Sequence, residues 1–267
     1  MQLKKREYVH LEIGKPMSPT KQKATSKVED NKDKSLLDKV RKIDPVRSAR
    51  QRMLDARNQP EIDQLLSMAW QSQELHVLFA DTGVGKSIFA VALALSLCKG
   101  ESFLGLRNET FSQRVLYYDF ELSDRQFWKR YSDENGNEDT LHENLFIDTI
   151  NFAQLMEATG GLNEAFNDVL FEKMKHDIKT CNATVLIIDN LTYLNTQSTQ
   201  DTKIALDTMR RLNDLKSELG LSILVLAHTP KRSSYTPITL SDLAGSKHLS
   251  NFADSISAIG KSSQASN

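Results

Sequence analysis

The 267-residue sequence predicts an α/β fold, in which helices flank a mainly parallel central sheet. Between residues 75 and 259, short apolar runs alternate with longer stretches of helical periodicity, and this alternation is typical of strand–helix–strand units. The run VLII at residues 185–188 does not alternate apolar with polar side chains, which favours a strand buried on both faces. The predicted strands cover residues 75–80, 115–120, 145–147, 185–189, 222–227 and 255–259, and the predicted helices cover residues 86–99, 124–131, 163–179 and 203–219.

The composition is that of an ordinary globular protein, because 39% apolar and 26% charged residues exclude collagen-like, coiled-coil and wholly disordered chains. The two cysteines, Cys98 and Cys181, are too few for a disulfide framework and suit the reducing cytoplasm, where we expect the protein. The longest uncharged apolar stretch covers residues 88–98. A membrane-spanning helix needs about 20 such residues, so we expect no membrane partner.

The formal net charge of −1 is an average over two unlike regions. Residues 1–60 contain 16 basic and 8 acidic side chains, a balance of +8, whereas the rest of the chain has a balance of −9. Such an asymmetry indicates a basic arm attached to an acidic body. For the basic helical stretch over residues 35–57, we favour a docking helix with a solvated charged face over a nucleic-acid contact, because charge alone is weak evidence.

Three regions are predicted along the chain. Residues 1–34 have few large apolar side chains and are predicted to form a disordered basic arm. Residues 35–60 are predicted to form a short helical segment and linker, since Leu36 and Val40 recur at helical spacing. Residues 61–267 are predicted to form the main domain, and its first segment, residues 62–70, has a helix-like pattern.

A phosphate-binding loop is predicted between the first strand and the first long helix. The segment ADTGVGKS at residues 80–87 matches the pattern G-x-x-x-x-G-K-[ST], with Ala80 in place of the first glycine. Gly83 and Gly85 let successive backbone N–H groups point at phosphate oxygens, Lys86 reaches the β- and γ-phosphates, and the Ser87 hydroxyl binds Mg²⁺. A chance glycine-rich turn is the weaker interpretation, since strand, loop and helix occur in the required order. The predicted ATP-binding residues are Ala80, Asp81, Thr82, Gly83, Val84, Gly85, Lys86, Ser87 and Ile88.

Two acidic residues at predicted strand ends extend this site. Asp189 ends the run VLIID, where the carboxyl end of a parallel strand meets the ligand, and is the expected Mg²⁺ partner. Asn190 follows it, so a general base must come from elsewhere. Glu121 lies just beyond another strand and can deprotonate the attacking water. The alternative is that Asp119 and Glu121 merely end that strand.

His228 follows the predicted strand over residues 222–227. A polar side chain at this edge can contact the γ-phosphate and respond to its loss. A lone histidine is more often a structural hydrogen-bonding residue, and both interpretations stay open on the residues alone.

Taken in order, the segments ADTGVGKS, YYDFELSD, VLIIDNLTYL, LVLAHTPK and DLAGSKHLSNFADSI resemble the motifs of RecA-like ATPases. Among these, the chain is most similar to the RepA-type branch of hexameric replicative helicases of plasmids and other mobile elements. The resemblance spans residues 74–260. It implies a RecA-like P-loop core, with ATP and Mg²⁺ as cofactors.

The resemblance also implies roles for individual residues. Glu121, Lys86 and His228 match catalytic positions, with Glu121 as the base and His228 as the γ-phosphate sensor. Ser87 and Asp189 match the metal positions. Lys247 and His248, in the stretch that faces the central channel of such rings, match DNA-contacting positions loosely.

These features lead to several hypotheses for function. The first is a ring-forming homo-oligomer, a helicase-type motor that acts on single-stranded DNA together with replication or mobilisation proteins. The second is a nucleotide-dependent regulatory or loader switch with weak hydrolysis, because only Lys261 is basic beyond the last strand, where relatives carry a basic hairpin that reaches the neighbouring ATP site. A truncated inactive fragment is the third, and transfer of phosphate to a small substrate is less favoured.

Overall fold

The computed structural model divides into two compact units, residues 1–60 and 61–267. It describes residues 46–59, 61–137, 141–161, 164–194, 202–230, 236–243 and 249–261.

The described part of the first unit is one short helix, α1 (Ala49–Ala56). The Ser48 side chain caps it by accepting a hydrogen bond from the backbone N–H of Gln51 at 3.1 Å. Arg47 and Asp55 form an ion pair at 2.7 Å across the helix. No residue of α1 is buried within this unit. The predicted arm over residues 1–34 and most of the predicted helical segment lie outside the described residues.

The second unit begins with a short antiparallel hairpin, β1 (Gln64–Leu66) and β2 (Trp70–Gln71). The predicted helix over residues 62–70 is therefore wrong. The backbone N–H of Ser67 donates to the carbonyl oxygen of Arg107 at 2.7 Å, so the hairpin pairs with a distant loop. Ser67 also has a φ of +48°, a left-handed conformation that ends helical periodicity.

A parallel six-strand sheet forms the centre of this unit, which confirms the predicted fold class. Its strand order is β5-β4-β6-β7-β3-β8, so β3 lies between two strands from the last part of the sequence. The strands are β3 (Leu75–Ala80), β4 (Val115–Asp119), β5 (Leu145–Asp148), β6 (Val185–Asp189), β7 (Ser222–His228) and β8 (Ser255–Ile259).

Helices connect these strands. The predictions for residues 86–99 and 124–131 match the observed bounds, whereas the helices at 152–159 and 191–194 were not predicted. The helices are α2 (Lys86–Lys99), α3 (Asp124–Tyr131), α4 (Phe152–Thr159), α5 (Glu164–Cys181), α6 (Leu191–Leu194) and α7 (Thr202–Leu219). Over the described residues, none of the helices has the length and hydropathy needed to cross a bilayer.

Apolar side chains cover both faces of the sheet, as the unbroken apolar runs predict. On one face, Val77 of β3 belongs to a buried cluster with Leu170 of α5. On the other, Leu78 belongs to a second cluster with Ala94 of α2 and Trp70 of the hairpin. Because neighbouring residues of β3 point into different cores, this strand is held from both sides.

The parallel arrangement brings the candidate site residues to one edge of the sheet. Ala80 at the end of β3 pairs in register with His228 at the end of β7. Asp119 at the end of β4 pairs in register with Asp189 at the end of β6. Because Ile188 of β6 pairs with Val225 of β7, the ends of β3 and β7 extend two residues beyond those of β4 and β6. All four carboxyl ends lie at the same edge of the sheet, which is where ligands bind in open α/β sheets.

Candidate nucleotide-binding site

The loop between β3 and α2 has the backbone conformation that the phosphate-loop pattern predicts. Gly83 and Gly85 have φ values of +79° and +90°, in the left-handed region that favours glycine. A Cβ atom at either position would meet no atom within 4 Å, so glycine is required for conformation and not for space. Ala80, which replaces the first glycine of the pattern, is the last residue of β3, where a side chain is accommodated.

Lys86 and Asp189 face each other at the base of this loop. Their side chains are 5% and 1% exposed, and Lys86 Nζ lies 3.5 Å from Asp189 Oδ1. The hydroxyl of Tyr117 donates to Asp189 Oδ2 at 2.8 Å. Burial, followed by the negative charge of Asp189, raises the pKa of Tyr117 well above its usual value, so the phenol keeps the proton that it donates. Two donors thus hold the Asp189 carboxylate in place.

Glu121, Asn190 and His228 form a second group, which we call the Glu121–Asn190–His228 cluster. The Asn190 amide nitrogen donates to Glu121 Oε1 and lies 3.0 Å from His228 Nε2. His228 Nε2 lies 3.5 Å from Glu121 Oε1. Asn190 is buried, whereas the side chains of His228 and Glu121 are 30% and 36% exposed, so the acid and the imidazole are accessible to a ligand.

The turn after β4 gives Asp119 and Glu121 different roles. Asp119 Oδ1 accepts hydrogen bonds from the backbone N–H groups of Glu121 at 2.9 Å and Leu122 at 3.0 Å. Burial raises the pKa of Asp119, and these two hydrogen bonds oppose that rise. Asp119 therefore closes the turn at the strand end, while the Glu121 side chain continues towards the phosphate loop.

One cavity brings the phosphate loop and the cluster together. Its volume is about 270 Å³, just below the range of about 300–1,000 Å³ that is typical of small-molecule sites. Of the sequence-predicted ATP-binding residues, Ala80 and Val84 do not line it. The lining residues are Asp81, Thr82, Gly83, Gly85, Lys86, Ser87, Ile88, Glu121, Arg130 and His228.

A larger cavity of about 690 Å³ lies at the carboxyl ends of β4 and β5. Asp119, Asp124 and Asp148 contribute acidic side chains to its lining, together with Phe127 and Phe152. Within the described ranges of the chain, its lining includes no part of the phosphate loop and no lysine or arginine. The smaller cavity is therefore the candidate site for an anionic nucleotide, despite its size.

Sequence reasoning missed three side chains at or beside this site. Arg130 lies on α3, which begins at a capping box formed by Ser123 and Gln126, and it contributes positive charge to the cavity. The Thr229 hydroxyl donates to a carboxylate oxygen of Asp81, which links the phosphate loop to the chain after β7. The third side chain is Asn190. From the sequence it indicated only that no second acidic residue follows Asp189.

The predicted DNA-contacting residues, Lys247 and His248, lie outside the described residues. Lys261 follows β8 and is exposed.

A family model described as an AAA domain matches residues 42–234, which is most of the chain. The chain belongs to the AAA domain family. No curated protein matches the sequence. Among solved structures, the chain is similar to a KaiC-like protein of the hyperthermophilic archaeon Pyrococcus horikoshii OT3. The identity is 16%, the TM-score is 0.48, and the match covers 71% of this chain and 72% of that chain.

As a member of the AAA domain family with a phosphate loop, the chain is a nucleotide-binding P-loop ATPase whose α/β fold has a parallel central sheet. The residues of this AAA domain fit a nucleotide with Mg²⁺. The loop backbone is open at Gly83 and Gly85, Lys86 supplies a buried positive charge, and Asp189 supplies a buried carboxylate whose position is fixed.

Proposed function

We propose that this AAA domain protein hydrolyses ATP and acts on DNA, as a helicase-type motor in replication or mobilisation of a mobile element. One observation carries the proposal: Lys86, Glu121 and His228 line the same cavity as the phosphate loop. A nucleotide-binding residue, a base and a γ-phosphate contact are the minimum that phosphoryl transfer to water requires.

Each residue has a role in this proposal. The loop backbone and Lys86 hold the β- and γ-phosphates, and Ser87 and Asp189 hold Mg²⁺. The metal ion, when bound, neutralises charge that develops on the phosphate oxygens. Tyr117 keeps Asp189 in place through Oδ2, and Oδ1 becomes available to the metal when Lys86, its partner at 3.5 Å, turns towards the phosphates.

Glu121 accepts the proton of the attacking water. Among the described residues, its contacts with Asn190 and His228 both fall on Oε1, which leaves Oε2 for the water. His228 faces the end of the phosphate chain, and Arg130 adds positive charge at the rim of the cavity. General base catalysis of this kind contributes roughly 10²–10⁴-fold to a rate.

The role on DNA draws on the RepA-type resemblance and on charge. Residues 61–267 have a net charge of −9, so broad binding of DNA over the ATPase unit is unfavourable. The basic arm, with its balance of +8, and the segment that contains Lys247 and His248 are the two places where we expect DNA to bind. A ring of identical subunits would bring the second of these to a central channel.

Steady-state hydrolysis of ATP, with and without single-stranded DNA at low salt, tests the proposal. We expect hydrolysis that DNA stimulates and that Glu121→Gln lowers roughly 10²–10⁴-fold while ATP binding is retained. Deleting residues 1–58 distinguishes the two candidate DNA-binding places. Stimulation by DNA should survive the deletion only if the segment that contains Lys247 and His248 binds DNA. No stimulation and no binding of DNA at low salt would contradict the motor.

The link between Thr229 and Asp81 favours a second candidate, a nucleotide-dependent regulatory or loader switch. This hydrogen bond connects the phosphate loop to the segment that follows β7, so occupancy of the loop can alter that segment without turnover. Glu121→Gln distinguishes the two candidates. A motor should lose its activity in this variant, whereas a switch should keep the interaction with its partner. ATP-dependent oligomerisation is expected in both cases, and a persistent monomer without nucleotide affinity would contradict both.

A further inference from the structure

Asn190, directly after β6, is 2% exposed and lies between two side chains of the proposed catalytic site. We propose that Asn190 is a positioning residue that links Glu121 to His228 and holds the Glu121 carboxylate in its productive orientation. The inference rests on the proposed role of Glu121 as the base, and it adds a residue to which the motif patterns assign no function.

The amide of Asn190 has the right number of hydrogen-bond donors for this role. A carboxamide nitrogen carries two protons, and two acceptors surround it, Glu121 Oε1 and His228 Nε2 at 3.0 Å. The direct separation of His228 Nε2 and Glu121 Oε1 is 3.5 Å. It is longer than the usual range of about 2.7–3.2 Å for N–H···O hydrogen bonds, and both atoms are acceptors when Asn190 donates to each. The stronger connection between the acid and the imidazole therefore passes through Asn190.

Without Asn190, little else would orient the Glu121 side chain. Asp119 holds the backbone of Glu121, but a glutamate has three rotatable side-chain bonds beyond that backbone, and this one is 36% exposed. The buried amide is attached to β6, a central strand, so its own position is fixed. A rigid donor on a neighbouring strand thus compensates for the flexibility of the acid.

The arrangement also sets the proton position on His228. When Nε2 accepts a hydrogen bond from Asn190, the ring proton lies on Nδ1. Nδ1 is buried and has no hydrogen-bond partner among the described residues. An unsatisfied buried donor is unfavourable and offsets part of the stability of the His228–Asn190 hydrogen bond, so a ligand contact at His228 competes with that bond. A γ-phosphate at His228 can in this way alter the hydrogen bonds of Asn190 and, through them, the orientation of Glu121.

A double-mutant cycle on the full chain tests the proposal, with ATP hydrolysis and ATP binding as separate measurements. Asn190→Ala should lower kcat roughly 10²-fold in the unaltered background, as expected when a catalytic group is misplaced by about 1 Å. In the Glu121→Gln background the same change should lower kcat by less than about threefold, because two residues that act as one unit are not additive. The Kd for ATP should stay within about threefold throughout.

Asn213→Ala is the matched control, since the Asn213 amide nitrogen also donates twice, to the carbonyl oxygens of Met209 and Phe252. It should lower stability without lowering kcat. Asn190→Asp keeps the shape of the side chain and removes both donors, so it should lose as much activity as Asn190→Ala. If the alanine variant does not fold, Asn190→Asp takes its place in the double-mutant cycle.

Equal losses in both backgrounds, or full activity of Asn190→Asp, would overturn this inference and leave the ATPase proposal intact. If the unaltered protein hydrolyses no ATP, both the proposed function and this inference are overturned.

Discussion

The phosphate loop lines one cavity together with Glu121 and His228 of the Glu121–Asn190–His228 cluster, yet the loop and the cluster are held in place in different ways. The loop is local: residues 80–87 are consecutive, and its shape depends on backbone conformation at Gly83 and Gly85. The cluster is assembled from β4, β6 and β7, and depends on contacts between side chains 38 to 107 positions apart in sequence. A short sequence pattern is therefore enough to specify the phosphate loop, whereas the cluster depends on the order of the strands in the sheet.

The largest expected effect comes from removing the buried cation of the loop. Lys86→Ala should abolish ATP binding at micromolar concentrations and lower turnover roughly 10³-fold, because the loop amides alone cannot balance the phosphate charge. Lys99→Ala, at the other end of the same helix, removes an exposed charge and should leave turnover unchanged. Equal turnover in the two variants, measured by phosphate release, would show that the loop does not bind the reacting phosphates.

Backbone conformation is tested by a matched pair of glycine substitutions. Gly85→Ala and Gly160→Ala each place a methyl group in open space at a φ of +90° and +70°. Each should therefore lower the free energy of unfolding by about 1–2 kcal/mol, measured by urea titration. ATP affinity should fall roughly tenfold in Gly85→Ala only, since about 1.4 kcal/mol of strain at the ligand corresponds to a factor of ten. Equal ATP affinity in both variants would contradict a role for the loop backbone.

Two adjacent tyrosines test the support of Asp189. The Tyr117 hydroxyl donates to Asp189 at 2.8 Å, and the Tyr118 hydroxyl donates to Asp177 at 2.7 Å on the other side of the sheet. Tyr117→Phe should lower stability by about 1–3 kcal/mol, because it leaves the buried Asp189 Oδ2 without this donor. Tyr118→Phe should lower it by about 0.5–1.5 kcal/mol, because Asp177 Oδ2 still accepts from Lys173. Titration of ATPase activity with Mg²⁺ should reveal a higher Mg²⁺ requirement for Tyr117→Phe and an unchanged one for Tyr118→Phe. The reverse result would remove Asp189 from the metal site.

The smallest effect is expected at the rim of the cavity. Arg130→Ala should raise the KM for ATP by about threefold at low salt, and the difference from the unaltered protein should shrink as salt is added, since exposed charges are screened. Arg125→Ala is the control on the same helix, where the guanidinium lies over the Trp128 ring at 4.4 Å and outside the cavity lining. A salt-independent increase in KM would mean that Arg130 acts through the packing of α3.

This contrast also explains which parts of the site could be predicted. Lys86 and Asp189 follow from a loop pattern and from the end of an apolar run, both of which are local signals. Arg130 and Thr229 could not be predicted, because their positions depend on which strands become neighbours. The order β4-β6-β7-β3 has no signature in the sequence.

The prediction of a helix over residues 62–70, where the structure has a hairpin, was wrong for the same reason. Its pairing with Arg107 joins positions that are 40 residues apart, and this contact overrides the local helical pattern.

The position of β3 in the sheet has a consequence for biosynthesis. Both of its neighbours, β7 and β8, are encoded after residue 221, and the backbone N–H of Leu75 donates to a side-chain oxygen of Asp254 at 2.7 Å. While the chain emerges from the ribosome, the strand that carries the phosphate loop has two unpaired edges until β7 has been made, more than 140 residues after β3. Nucleotide binding therefore becomes available only after β7 has emerged, and β3 is exposed to mispairing during that interval.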